Sequence, residues 1–192
     1  MDGDGVNERT LIDCMGLKTL FAAFMMKETR KKKKKKKTSK EKAKASVEIT
    51  NDDEEHIISC IAKLFIFFDS NCESSEDAQR YARLVHKFCE NDFEKVNRLI
   101  EMHIKHSQRV RQADAMIEQT ILEQLQADET YDPTEDEMTF LGWRLESGLL
   151  TLQLTDLVIA FVGTCPGEIA VREQGFICKR SRSVLWVLPN AY

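Results

Sequence analysis

The 192-residue sequence is poor in the residues that make turns, since it contains only 8 glycines and 3 prolines. A β-sandwich or β-barrel needs many short turns, and most such turns draw on glycine or proline. The shortage therefore argues against a β architecture and predicts an all-α fold with long helices. Hydrophobic residues make up 42% of the chain, which is enough to build a buried core.

No apolar run approaches the roughly 20 residues that a membrane-spanning helix needs. The richest apolar stretch, Leu149 to Val162, is interrupted by four polar residues: Thr151, Gln153, Thr155 and Asp156. None of the six cysteines forms a CxxC pair, and the acidic, polar N-terminus does not resemble a signal peptide. We therefore expect an intracellular protein without membrane contact, whose cysteines are reduced and act as small hydrophobic side chains.

Motifs of known catalytic sites are also missing. Neither GxxxxGK[ST] nor GxGxxG occurs, so no phosphate-binding loop is expected. His103 and His106 have a spacing on a predicted helix that is compatible with shared metal binding, and His86 and Cys89 could in principle form a nucleophile and base. An ordinary polar helix face is the preferred interpretation, because the sequence places no third group beside either pair. We predict no enzyme activity, no metal site and no cofactor.

Charge is distributed very unevenly along the chain. Residues 30–44 hold eleven basic residues and one acidic residue, a charge of +10, whereas the remainder has 17 basic and 31 acidic residues and carries −14. The acidic remainder would repel nucleic-acid backbones, so direct nucleic-acid binding is not expected. It favours partner proteins with basic segments.

The basic stretch contains eight consecutive basic residues, namely Arg30, Lys31, Lys32, Lys33, Lys34, Lys35, Lys36 and Lys37. Such runs serve as nuclear import signals or as patches that contact nucleic acid or anionic lipid. Nuclear import is the preferred interpretation, since no aromatic residue is interleaved for base stacking and no amphipathic anchor flanks the run. Electrostatic contact with RNA and a solvated loop without a specific role are the alternatives.

Apolar residues that recur every three or four positions predict helices over residues 6–15, 17–25, 51–68 and 76–89. A helix of roughly 35 residues follows from Phe93, after a cap at Asn91 or Asp92. Another cap is predicted at Asn51 or Asp52. The last long helix is expected to run from Pro133 to about Gly163, with an apolar face that includes Met138, Leu141, Leu145, Leu149 and Leu152.

Four segments resemble, in order, the C-terminal region of the beta-catenin-like protein 1 family, whose members are nuclear armadillo-repeat proteins. The longest is Phe88 to Glu118, FCENDFEKVNRLIEMHIKHSQRVRQADAMIE. The others are Gly16 to Met25, His56 to Phe67 and Leu141 to Gln153. The match spans roughly residues 11–172, and its most specific positions are Glu90-Asn91-Asp92, Glu94-Lys95-Val96, Arg98-Leu99 and Ala113-Asp114.

This resemblance implies an armadillo-like α-α superhelix that associates with the spliceosome through a complex built around a tetrameric ubiquitin ligase. It also implies binding of basic, nuclear-localisation-type segments on partner splicing factors. The chain would correspond to the C-terminal part of such a protein, beginning within its repeats. Phe176 to Tyr192 does not resemble the helical C-terminus of the family, so an atypical tail is expected there.

We therefore divide the chain into a helical repeat segment (1–29), a disordered basic loop (30–50), an armadillo-like helical domain (51–175) and an atypical tail (176–192). The preferred function is a non-enzymatic scaffold or adaptor in pre-mRNA splicing, located in the nucleus. Its expected partners are splicing factors with basic segments, and self-association is left open. The alternative is a nuclear-import-type receptor for cargo with basic signals, which would need a transport partner as well as cargo.

Overall fold

The computed structural model describes residues 5–26, 50–71 and 74–164. Within these ranges the chain forms helices and no strand, which confirms the all-α prediction. The elements are α1 (Val6–Asp13), α2 (Gly16–Phe24), α3 (Asn51–Ser70), α4 (Ser75–Ala127), a 3-10 helix (Pro133–Asp136), α5 (Glu137–Glu146) and α6 (Leu149–Thr164). Most of the predicted basic loop and the whole predicted tail lie outside the described residues.

Helix α3 begins with a reciprocal pair of hydrogen bonds. The hydroxyl of Thr50 accepts from the backbone N–H of Asp53 at 3.2 Å, and the Asp53 carboxylate accepts from the backbone N–H of Thr50 at 2.8 Å. This capping box satisfies two N–H groups that have no partner inside the helix. The predicted cap at Asn51 or Asp52 is therefore wrong by one or two residues.

The core forms where α6 packs between α3 and α4, while α1 packs against α4 and α2 packs against α1 and α3. Aromatic rings join these elements. Phe65 of α3 stacks on Phe161 of α6 with ring centroids 5.5 Å apart, and Phe88 of α4 meets Phe21 of α2 edge to face at 5.1 Å. Because Phe65 and Phe88 also touch each other, one continuous aromatic cluster connects four helices.

Helix α4 is interrupted where the sequence predicted a boundary. Glu90 is extended, with ψ 152°, and Asn91, Asp92 and Phe93 have φ values of 55°, 54° and 60°. Asparagine and aspartate adopt this left-handed region more readily than other non-glycine residues, which explains why the break falls on them. The Glu90 carboxylate accepts hydrogen bonds from lysines on both sides of the break, from Lys87 at 2.7 Å and from Lys95 at 3.3 Å.

The predicted single helix from Pro133 to Gly163 is wrong, because the chain bends by 63° between α5 and α6. Gly148 lies in the bend with φ +97°, and a Cβ there would lie 2.4 Å from Nδ1 of His106. A side chain at this position is therefore excluded by both backbone strain and the close approach of the histidine. Phe140 is the buried residue of α5. Three residues of the predicted buried face are exposed, namely Met138, Leu141 and Leu145.

No single helix in the described ranges has the length and hydropathy to cross a membrane. Within the described ranges, one bent pair of helical segments, Pro133–Glu146 and Leu149–Thr164, is together long and apolar enough to cross a membrane, by length and composition only.

The cysteines do not all act as small core residues. Cys14 and Cys60 are exposed thiols, and Cys89 is half-buried with its Sγ 3.8 Å from the carbonyl oxygen of Val85. The prediction that the cysteines act as small hydrophobic side chains is therefore wrong for Cys14 and Cys60. Cys72, Cys165 and Cys178 lie outside the described residues.

Leu99 provides a test of the α4 packing. Its side chain is fully buried in the core, so Leu99→Ala should lower the free energy of unfolding by about 2–5 kcal/mol. Chemical denaturation followed by far-UV circular dichroism measures this change. Ile104, on the same helix but largely exposed, is the matched control, and Ile104→Ala should cost less than about 0.5 kcal/mol. Similar values for the two variants would mean that the inner face of α4 is misassigned.

Candidate protein-binding surface

The eight basic residues Arg30 to Lys37 lie outside the described residues, but the structure describes both flanks of this segment. Arg98 on α4 contacts both. Its Nη2 donates to Glu54 Oε1 at 2.7 Å and to the backbone oxygen of Met26 at 3.4 Å, and its Nε donates to the oxygen of Phe24 at 3.4 Å. The described residues on either side of positions 27–49 therefore come together beside one buried arginine.

Glu54 is the centre of a buried polar network. Besides Arg98, it accepts a hydrogen bond from Lys105 Nζ at 2.7 Å, and its Oε2 lies 3.4 Å from Nε2 of His106. Burial raises the pKa of the Glu54 carboxyl, but the hydrogen bonds from His106 and Lys105 and the charges of Lys105 and Arg98 outweigh burial and lower the pKa to about 2. Glu54 is thus a carboxylate at neutral pH although only 4% of its surface is exposed.

Sequence reasoning missed this network. In the sequence, Glu54 is one of four consecutive acidic residues, 52–55, all of which are favoured at the positive end of α3. A signal was present, because Arg98 and Lys105 are seven residues apart and therefore share one face of α4. Cationic side chains on the core side of a helix need an anionic partner, because an unpaired buried charge is costly. The sequence alone does not identify which acidic residue is that partner.

His103 and His106 are both buried, so their interpretation as part of an ordinary polar helix face is wrong. They are directed to different partners. Nδ1 of His103 lies 2.6 Å from Oδ1 of Asp156 on α6, whereas His106 contacts Glu54 on α3. Among the residues that the structure describes, no group of three metal-binding side chains occurs. The two histidines therefore connect α4 to two different helices and do not form one shared site.

Negative charge in the described part of the chain is concentrated in one stretch of sequence that includes the C-terminal end of α4. Residues 114–146 hold ten acidic residues and one basic residue, a net charge of −9. We call this segment, which includes the end of α4, the 3-10 helix and α5, the acidic end. Arg144, its one basic residue, donates to Asp114 at 2.7 Å and thereby fastens α5 to α4. Most of the other carboxylates are exposed.

Local hydrogen bonds fix the backbone of the acidic end. Asp128 accepts from the backbone and side chain of Thr130, and Asp132 does the same for Thr134. These bonds lower the pKa of both aspartates. The hydroxyl of Tyr131 donates to a neighbouring carboxylate at 2.8 Å, and this bond, burial and the surrounding negative charges raise the tyrosine pKa. These hydrogen bonds therefore order the turn between α4 and the 3-10 helix.

Apolar side chains lie exposed among these acids. Of the twelve most exposed large apolar residues in the described ranges, six belong to the acidic end: Met116, Leu122, Leu125, Met138, Leu141 and Leu145. Single exposed apolar residues are normal on a soluble protein, but a concentration within one segment is typical of an interaction surface. The acidic end combines this apolar character with strong negative charge, a pairing that suits a partner carrying both lysine or arginine and apolar residues.

Comparison with known proteins agrees with this architecture. The family described as catenin-beta-like, Arm-motif containing and nuclear matches residues 2–184. The chain belongs to this family. Beta-catenin-like protein 1 from Bos taurus, Homo sapiens and Mus musculus is in each case 35% identical over 147 residues, which cover 77% of this chain. The same alignment covers 22% of each relative, so the chain spans about a fifth of the length of the curated relatives it matches.

The match to the catenin-beta-like family confirms the resemblance predicted from the sequence, and it supports the armadillo-like fold class. Armadillo-type proteins stack helices into elongated surfaces on which extended or helical segments of other proteins bind. The family description also places its members in the nucleus. In this chain, the Arg98 network connects the helices that would form such a surface, and the acidic end gives part of it a negative charge.

Replacing Glu54 tests whether the buried network stabilises the fold. Glu54→Gln removes the buried negative charge that Arg98 and Lys105 contact on α3, so it should lower the free energy of unfolding by about 3–5 kcal/mol. Because the Glu54 pKa falls from 4.5 to about 2 on folding, its ionised form stabilises the wild type above pH 4.5, and this contribution is lost as the pH falls toward 2. Urea unfolding at neutral and acid pH measures both effects.

The exposed Glu137 provides the control for this comparison, and Glu137→Gln should unfold like the wild type at both pH values. The Glu54→Gln variant should show a weaker pH dependence between pH 4.5 and 2 than the wild type. An unchanged pH dependence together with unchanged stability would show that Glu54 is solvated rather than buried among cations.

Proposed function

We propose that this protein is a non-enzymatic adaptor that associates with the spliceosome in the nucleus and binds basic segments of partner proteins. The observation that carries the proposal is the acidic end, where a net charge of −9 coincides with exposed apolar side chains on a helical framework. Opposite charge accelerates and orients the encounter with a basic segment, and apolar contacts supply affinity at short range.

The role in splicing rests on the resemblance to the beta-catenin-like protein 1 family, which implies it. A non-enzymatic role is supported by the contacts of three buried polar residues, which connect helices. His103, His106 and Glu54 each contact a charged partner on another helix, so they serve packing between α3, α4 and α6. An adaptor needs this kind of rigid framework because ordering a flexible surface on binding would cost free energy.

Neutralising the acidic end should reduce partner capture. We would use residues 1–192 as bait in nuclear extract and compare the wild type with a triple variant, Glu118→Gln, Glu123→Gln and Glu137→Gln. Recovery of spliceosomal proteins at moderate salt should fall about tenfold, because long-range attraction to basic segments is weakened. Quantitative mass spectrometry of the captured proteins provides the measurement.

The matched control removes the same number of charges elsewhere, with Asp52→Asn, Asp69→Asn and Glu76→Gln on exposed positions of α3 and α4. This control should capture partners like the wild type. Equal losses in both variants would show that net charge, rather than the acidic end, governs binding. A folded wild-type bait that recovers carriers of nuclear transport instead of spliceosomal proteins would favour the alternative function, an import receptor.

The basic run Arg30 to Lys37 is proposed as the nuclear import signal of this chain. Replacing Lys31 to Lys37 with glutamine in a fusion to a large fluorescent protein should shift the fusion to the cytoplasm, because import receptors bind such runs through their charge. Circular dichroism should stay unchanged. A control with Lys40, Lys42 and Lys44 replaced should remain nuclear, and nuclear retention of the first variant would rule out a necessary import role.

A further inference from the structure

Helix α5 has two apolar faces. One is buried, where Phe140 packs into the molecule with its ring 5.7 Å from that of Trp143. The other consists of Met138, Leu141 and Leu145, which follow the spacing i, i+3, i+7 and are 77%, 37% and 45% exposed. We call these three residues the outer stripe. This spacing places side chains in one line along a helix, which is the arrangement that meets a second helix.

The outer stripe has room for a helix to approach and a fixed position from which to receive it. Beside the stripe, a Cβ at Gly142 would find no atom within 4 Å. The helix cannot easily rotate to hide the stripe, because the ion pair of Arg144 with Asp114 and the buried Phe140 hold its other side. The bend at Gly148, packed against His106, fixes its C-terminal end.

The charges around the outer stripe decide what kind of partner fits it. Glu135, Asp136 and Glu137 precede the stripe and Glu146 follows it, within the segment of net charge −9. A second copy of this chain placed face to face would bring like charges together, and an anionic membrane would be repelled for the same reason. A helix with an apolar line flanked by lysine or arginine would satisfy both the stripe and the acids.

We propose that the outer stripe of α5 docks an amphipathic, basic helix of a partner protein. This inference rests on the proposed function and deepens it, since it assigns the basic segment a helical conformation and a position. The apolar line of the partner helix packs on Met138, Leu141 and Leu145. Its basic flanks lie over the carboxylates of the acidic end. An extended basic peptide without an apolar line gains only the charge contacts and binds more weakly.

The test uses residues 1–192 and three fluorescein-labelled probes: a lysine-leucine model peptide with leucines at helical spacing, a scrambled peptide of the same composition, and oligolysine. Fluorescence anisotropy at physiological salt should show that the helical peptide binds at least about tenfold more tightly than the other two. The variant Met138→Ser, Leu141→Ser and Leu145→Ser should lose that advantage. The matched variant Met15→Ser, Ile66→Ser and Ile104→Ser, which removes three exposed apolar residues elsewhere, should keep it.

Equal affinity for the three probes, or an equal effect of the two variants, would overturn the docking proposal. The proposed function would still stand if the outer-stripe variant captured spliceosomal proteins like the wild type and only the acidic-end variant failed. A second measurement asks whether the stripe is already covered. With methyl-labelled methionine, the Met138 signal should broaden with a soluble paramagnetic agent in the free protein and recover when the helical peptide binds. Protection of Met138 in the free chain would mean that its own remaining residues or a second copy occupy the stripe, and would also overturn the proposal.

Discussion

The buried ion pair between Arg98 and Glu54 is the contact on which the arrangement of the helices depends. Removing two charges from water is costly, and the cost is offset only when every remaining donor and acceptor finds a partner. Arg98 finds them in the carbonyls that end α2, and Glu54 finds them in Lys105 and His106. The pair is therefore stable only when α2, α3 and α4 are all in place, which links the end of α2 and the start of α3 to the packing of the core.

From this anchor, α4 connects two regions of different character. Arg98 and Asp114 are sixteen residues apart on α4, so about 24 Å of helix separates the flanks of the basic segment from the start of the acidic end. The intervening residues pack on α6 and bury Leu99, Met102 and His106. After the break at residues 90–93, the Arg98 network therefore lies near the start of the remaining helix, and a negative, partly apolar surface lies at its end.

Local signals explain what could be predicted about these elements. The break at Asn91 and Asp92 was predicted, because both residue types tolerate left-handed backbone and disfavour a helix interior. The bend at Gly148 was not, because the apolar pattern continues through it from Leu145 to Leu149 and a single glycine is tolerated within a helix. The close approach of His106, a residue more than forty positions earlier, leaves no room for a side chain at Gly148, and nothing in the local sequence signals this contact.

The sequence by itself determined the all-helical fold, most helix boundaries and the separation of charge, because these depend on neighbours within one or two turns of the chain. Only the tertiary structure decided which apolar and charged residues are buried. Met138 and Phe140 are both large apolar residues of α5, yet one is exposed and the other buried. Glu54 similarly differs from its acidic neighbours only because Arg98, forty-four residues later, is brought within 2.7 Å. Burial depends on which other element occupies the adjacent space, and no local pattern in the sequence records that.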